Sequence, residues 1–213
     1  CGSTITQTAI NSASSSIVVY YKNNVAESLT LSATDNIANL SSGTKAVITG
    51  PDHLVIAGST SFASGTCQAY TITTKDASNV TAATLVATTV NLDDGVASGS
   101  FFSDNVCSSG ITQSVIAINT SVTTVYYKNN TGESITLSAA DNASSLTTGT
   151  LNTTAGPNQL VISGPANFPS GTCKAYVIAS KDGVNLAENA RATITLDLSD
   201  GVASGAYYLE NTC

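Results

Sequence analysis

The sequence predicts an all-β protein, and three observations predict it. Val, Ile, Leu and Thr gather in short runs with 16 Gly between them, while Met and Trp are absent. Such runs bounded by turn residues are strand signals. Turn signals return about every eight to twelve residues, the spacing of short strands in a sandwich. No segment carries a sustained helical period; at most 140–146 and its counterpart 34–40 could form a helical turn.

The chain is also one pattern written twice. Displaced by 106 positions it lies on itself without a gap, so that Cys1 falls on Cys107 and Cys107 on Cys213. YYKNN at 20–24 recurs at 126–130, DGVASG at 94–99 recurs at 200–205, and roughly half of the overlapped positions are identical. A period this long marks an array of whole domains, not a solenoid of small repeats.

The elements follow in order from the middle of the chain. Gly50-Pro51 opens a strand at Leu54–Ala57. A second strand at Thr66–Thr74 is closed by Lys75-Asp76. In a third, Thr84–Leu92, alternation places Val86, Thr88, Val90 and Leu92 on one face, and the second copy puts Ala192, Ile194, Leu196 and Leu198 there. After the Asp94-Gly95 turn, Ser100–Ser103 leads to Cys107. Ile111–Ile118 is the fifth strand and Thr123–Lys128, stopped by Asn129-Asn130, the sixth. Ser134–Ala139 presents Ile135, Leu137 and Ala139 to one side, and an extended stretch at 148–154 precedes Gly156-Pro157. Seven or eight such strands make one immunoglobulin-like β-sandwich.

Composition excludes several functions. Seven Lys and Arg and a net charge of −7 cannot supply the basic stripe that nucleic acid requires. No apolar run approaches the roughly 18 residues of a membrane span, and no secretory leader is present. The chain reads as a processed product or as a window onto a longer protein.

Cysteines stand at 1, 67, 107, 173 and 213. The interval from Cys67 to Cys107 is repeated from Cys173 to Cys213, and no CxxC or Cys/His cluster suggests zinc. The spacing points to two disulfides, Cys67–Cys107 and Cys173–Cys213, in an oxidising compartment; the alternative is buried free thiols. Cys1 matches the second cysteine of each pair and is left unpaired or intermolecular.

The run GTCQAYTITTKDASNV, then NLDDGVASGSFFSDNVCSSGITQSVIAI, then VYYKNNTGESITLSA resembles the bacterial immunoglobulin-like, invasin-like tandem repeats of large surface proteins. Those repeats share a Cys-bearing second strand, a Lys-Asp turn, a GxFFxDxxC segment and a YYK strand. The resemblance implies an extracellular setting and a spacer, stalk or adhesive role, and it transfers no active site. Family boundaries make 51–155 the complete domain. Residues 1–50 are then the C-terminal half of a preceding domain and 156–213 the N-terminal half of a following one.

Candidate chemistry is sparse. His53, the lone histidine, is replaced by Gln159 in the second copy and has no partner in view for general-base work. Asp94 and Asp200, in the Asp-Gly turns, are weak calcium candidates, since calcium takes six or more oxygens and Asp-Gly is also an ordinary turn. Lys22 and Lys128, with Glu27 and Glu133, hold the ingredients of a Lys–Asn crosslink, but such a link needs a buried Lys, and Lys22, which precedes an Asn-Asn turn, is expected to be solvated. No catalytic or cofactor-binding residue emerges, and no cofactor is expected. The reading is a non-enzymatic building block of an extracellular fibre, stalk or surface layer, partnered head to tail by copies of itself. The alternative is an adhesin module that binds a glycan or a surface protein. Each terminal half either continues covalently or is completed by another subunit, because half-sandwiches leave open sheet edges.

Overall fold

The computed structural model describes residues 2–37, 39–202 and 204–211. It is all-β, and no helix occurs among the described residues. Among the described residues fourteen strands follow in chain order: β1 (Ser28–Ala33), β2 (Gly43–Ile48), β3 (His53–Gly58), β4 (Ser61–Ala63), β5 (Gln68–Lys75), β6 (Thr88–Asp93) and β7 (Gly99–Phe102). They continue with β8 (Gly110–Ile111), β9 (Gln113–Ile116), β10 (Val122–Asn129), β11 (Ser134–Asp141), β12 (Gly149–Gly156), β13 (Gln159–Ser163) and β14 (Val177–Lys181).

Strands β3 to β12 build two five-stranded sheets, ordered β3-β5-β10-β7-β8 and β4-β12-β11-β6-β9. Pairing is antiparallel except where the short β4 runs parallel to β12, Phe62 facing Ala155. Period-2 alternation turns Tyr70 and Ile72 of β5, Val125 and Tyr127 of β10, and Ile135, Leu137 and Ala139 of β11 into one shared core. The two sheets thus form a β-sandwich. Tyr127 is at its centre, edge-on to Phe62 and Tyr70 at 6.2 and 6.4 Å and tilted against Phe101 at 5.0 Å. Aromatic pairs in such geometries add about 0.5–1.5 kcal/mol beyond the area they bury.

Three local expectations are corrected. The single strand at Ile111–Ile118 is two strands in different sheets: β8 pairs with β7 and β9 with β6. The chain crosses between the sheets at Thr112, whose carbonyl accepts from Leu92 N–H at 2.9 Å. Val86 does not share the inner face of β6. Thr84 is tied instead to the 117–120 turn, its N–H donating to Thr120 and its hydroxyl to Ala117, so pairing with β9 starts only at Thr88 and Val86 stays exposed. Segment 140–146 holds no helical turn. β11 runs through Asp141, whose carboxylate then collects the N–H groups of Ala143, Ser145 and Leu146.

Two further hairpins flank the sandwich. β1 pairs with β2, Ser28 opposite Ile48, and β13 with β14, Gln159 opposite Lys181. These repeat, 106 positions away in the sequence, the registers of Ser134 opposite Thr154 in β11–β12 and of His53 opposite Lys75 in β3–β5.

Candidate functional site

Several aspartates hold backbone turns. Asp104 accepts from Val106, Ser108 and Ser109 N–H, the last at 2.6 Å. The bond from Ser109 leads the causes that hold this carboxyl below the usual carboxylate range. Asp141 is buried, which opposes its charge, but the Ser145 hydroxyl and the surrounding N–H groups outweigh burial and hold its pKa low as well. Asp94 takes the Tyr127 hydroxyl at 2.9 Å on one oxygen and Val96 N–H at 3.1 Å on the other. Burial, then the Asp94 contact, pushes the Tyr127 phenol far up. Of the two calcium candidates, Asp94 is thus engaged with a phenol, and Asp200 accepts from Val202 N–H at 3.0 Å. Among the described residues no group of three or more His, Cys, Asp or Glu side chains could hold a metal ion.

Cys67, just before β5, is bonded to Cys107, in the loop after β7, with their Cα atoms 5.8 Å apart. Asp104 organises that loop, which gives the acid in the GxFFxDxxC motif a physical role: it shapes the turn that presents Cys107. Cys173 is also disulfide-bonded. Its expected partner Cys213, and Cys1, lie outside the described residues.

His53 serves a turn. Its Nε2 lies 3.1 Å from Asn79 Oδ1, and in the next copy Gln159 Nε2 lies 3.4 Å from Asn185 Oδ1. The His-to-Gln exchange keeps a donor aimed at the same asparagine. Glu133 is likewise occupied, by Asn129 Nδ2 at 2.7 Å and by the Ser98 hydroxyl, while Glu27 takes Asn23 Nδ2 at 2.8 Å.

Two surfaces stand out. One is an open cleft of about 610 Å³ at the β6–β8 edge, with Leu92 and Ile111 as apolar lining and Asp93 and Gln113 as polar lining. The other is the pair of uncovered apolar faces on the flanking segments. Leu160 and Ile162 of β13, together with Phe168 and Tyr176, are exposed on one side; Ile17, Val19 and Tyr21 are exposed on the other.

No protein-family model matches the chain, and no curated protein does. Among solved structures it is similar to a β-glycosidase from Bacteroides vulgatus, at 9% identity and a TM-score of 0.38, over 59% of this chain and 17% of that one. The expectation that the chain is not an enzyme is withdrawn: a solved structure to which it is similar is a β-glycosidase. A likeness of this strength assigns no activity to the present residues.

Proposed function

We propose that the protein is a structural building block of an extracellular fibre, stalk or surface layer, made of immunoglobulin-like domains joined head to tail. In this reading 51–155 is one complete domain of the invasin-like repeat type. Residues 1–50 and 156–213 are complementary halves of its neighbours. The observation that carries it is an unmet pairing. In the sandwich, β10 lies between β5 and β7, with Val125 opposite Tyr70. Its counterpart at 16–23, SIVVYYKN, forms no strand, and among the described residues β14 pairs with no strand but β13, which leaves its β10-side edge open beyond the Lys181–Ala187 bridge. An uncovered apolar face beside an open edge calls for one occupant, a segment of the 1–50 kind from the next copy. The disulfide, together with the finding that among the described residues no helix is long and apolar enough to cross a membrane, supports the extracellular setting.

Sedimentation and electron microscopy of the full chain test this. Head-to-tail oligomers that lengthen with concentration are expected, and Leu160→Asp should abolish them without lowering the melting transition of the sandwich. A wild-type chain that stays monomeric at every concentration overturns the proposal. Intact mass of non-reduced native material separates a covalent array from a polymer of 213-residue subunits.

A second reading, an adhesin module, draws on the cleft, where carboxylate and amide groups beside apolar lining suit a sugar. Full-chain binding to a glycan array, lost in Gln113→Ala, is its expected signature. An array with no bound glycan removes it.

A further inference from the structure

The Lys-Asp turn has a use that neither the core nor the cleft explains. Asp76 follows β5 and Asp182 follows β14, and both side chains are buried. Each carboxylate is divided between two tasks. One oxygen holds its own turn, accepting from Ser78 and Val80 N–H at 3.0 and 2.9 Å in the first case and from Val184 and Leu186 N–H at 3.1 and 2.8 Å in the second. The other oxygen reaches the preceding unit. Ala26 N–H donates to Asp76 Oδ2 at 3.0 Å, and Gly132 N–H donates to Asp182 Oδ2 at 3.2 Å. Donors and acceptors occupy matching places in the repeat at both junctions.

The donors are themselves held. Ala26 and Gly132 come just after the Asn-Asn turns, where Asn23 Oδ1 accepts from Val25 N–H at 3.0 Å and Asn129 Oδ1 from Thr131 N–H at 2.8 Å. A second contact recurs independently. The Leu85 side chain lies so close over Gly50 that a Cβ there would come within 2.9 Å of it, and Arg191 Cγ lies 3.3 Å from the same point on Gly156. No slack separates the units. Each Gly is followed directly by Pro, and the next residue is fastened back, Asp52 N–H to Lys75 O at 2.7 Å and Asn158 N–H to Lys181 O at 2.8 Å.

We infer that Asp76 and Asp182 lock each unit onto the Asn-Asn turn of the unit before it, so that successive units repeat at one constant step and the array is a stiff rod. The surface involved is the Lys-Asp turn, and its partner is a second copy of the repeat presenting a rigid backbone N–H. Aspartate suits this place because it offers two acceptors. Asparagine would keep one oxygen for the turn and set an amide donor against the N–H across the junction. The inference rests on the proposed array, and the test separates the two.

Amide hydrogen exchange on the full chain, wild type against Asp76→Asn and Asp182→Asn, reads the lock directly. Gly132 N–H should be protected in the wild type and exchange about tenfold faster or more in Asp182→Asn, the effect of losing a bond to a charged acceptor. Ala26 should respond only to Asp76→Asn. Retained protection at Val80 and Leu186 reports that the turns survive. Residual dipolar couplings of the wild type add a measure that no substitution perturbs: β1–β2, the sandwich and β13–β14 should share one alignment tensor. Separate tensors, or a Gly132 amide that exchanges equally fast in wild type and variant, overturn the lock. Chains locked at both joints but monomeric at every concentration would retire the fibre and keep the lock. Filaments of independently tumbling units would do the reverse.

Discussion

Tyr127 and Tyr21 hold the same place in the repeated pattern and meet opposite fates. Tyr127 is 0% exposed at the centre of the sandwich, while Tyr21 is 53% exposed; Leu54 is 2% exposed where its counterpart Leu160 is 50%. The flanking copies nevertheless keep the registers of their hairpins and turns. Tyr176 donates to Pro165 O at 2.8 Å as Tyr70 does to Ser59 O at 2.9 Å, and Asp35 accepts from two following N–H groups as Asp141 does. Hairpin pairing and turn chemistry are local, so half a unit suffices for them. Burial is not local: it needs strands from both halves at once.

Removing the Cys67–Cys107 bond by Cys→Ala at both positions should cost about 4 kcal/mol, the loop-closure entropy for a sequence separation of 40. Urea denaturation should show it as a lower midpoint, whereas losing the Cys173 bond, in a copy without a core, should leave that midpoint in place. Next in size, Leu137→Ala should cost about 3 kcal/mol in the same measurement, as core truncations do. The matching Leu31→Ala should cost little in dilute chains and gain its effect only in the proposed head-to-tail assembly.

A smaller loss, about 2 kcal/mol, is expected for Tyr127→Phe, which leaves the buried Asp94 oxygen without its phenol. Tyr21→Phe should be silent. The smallest effect is on pH. The carboxyls of Asp76, Asp104, Asp141 and Asp182 are held below their ordinary value, so on acidification the unfolded chain takes up protons first. Their stabilisation is complete above the unfolded value of about 3.9 and is lost as pH falls through the lower folded values. Urea midpoints that stay level from neutral pH down to that value and then decline are the expected record. Tyr127, shifted up, works in the other direction, and its contribution is lost only as pH rises above about 10.

Much of the fold was legible in the residues. Alternation in Ser134–Ala139 marked the inner face of β11, and Gly-Pro, Lys-Asp, Asp-Gly and Asn-Asn marked the ends of strands. The positions of Val86 and Ile111–Ile118 were not legible. An alternating run looks the same whether it stays in one sheet or crosses to the other, and only Thr84, tied to the 117–120 turn, and Thr112, bonded to Leu92, decide where pairing begins. The short β4 left no signal, since its parallel partner β12 lies far along the chain. The cross-junction role of Asp76 was hidden for the same reason, as its donor Ala26 is 50 residues away.

By itself, then, the sequence determined the all-β class, the period and the turn chemistry, which are written in local patterning and in the repetition of the pattern itself. Tertiary structure alone decided which copies of the same apolar residues are buried, which sheet each short strand joins, and how one unit sits on the next. Those outcomes depend on the simultaneous presence of surfaces that chain proximity does not supply.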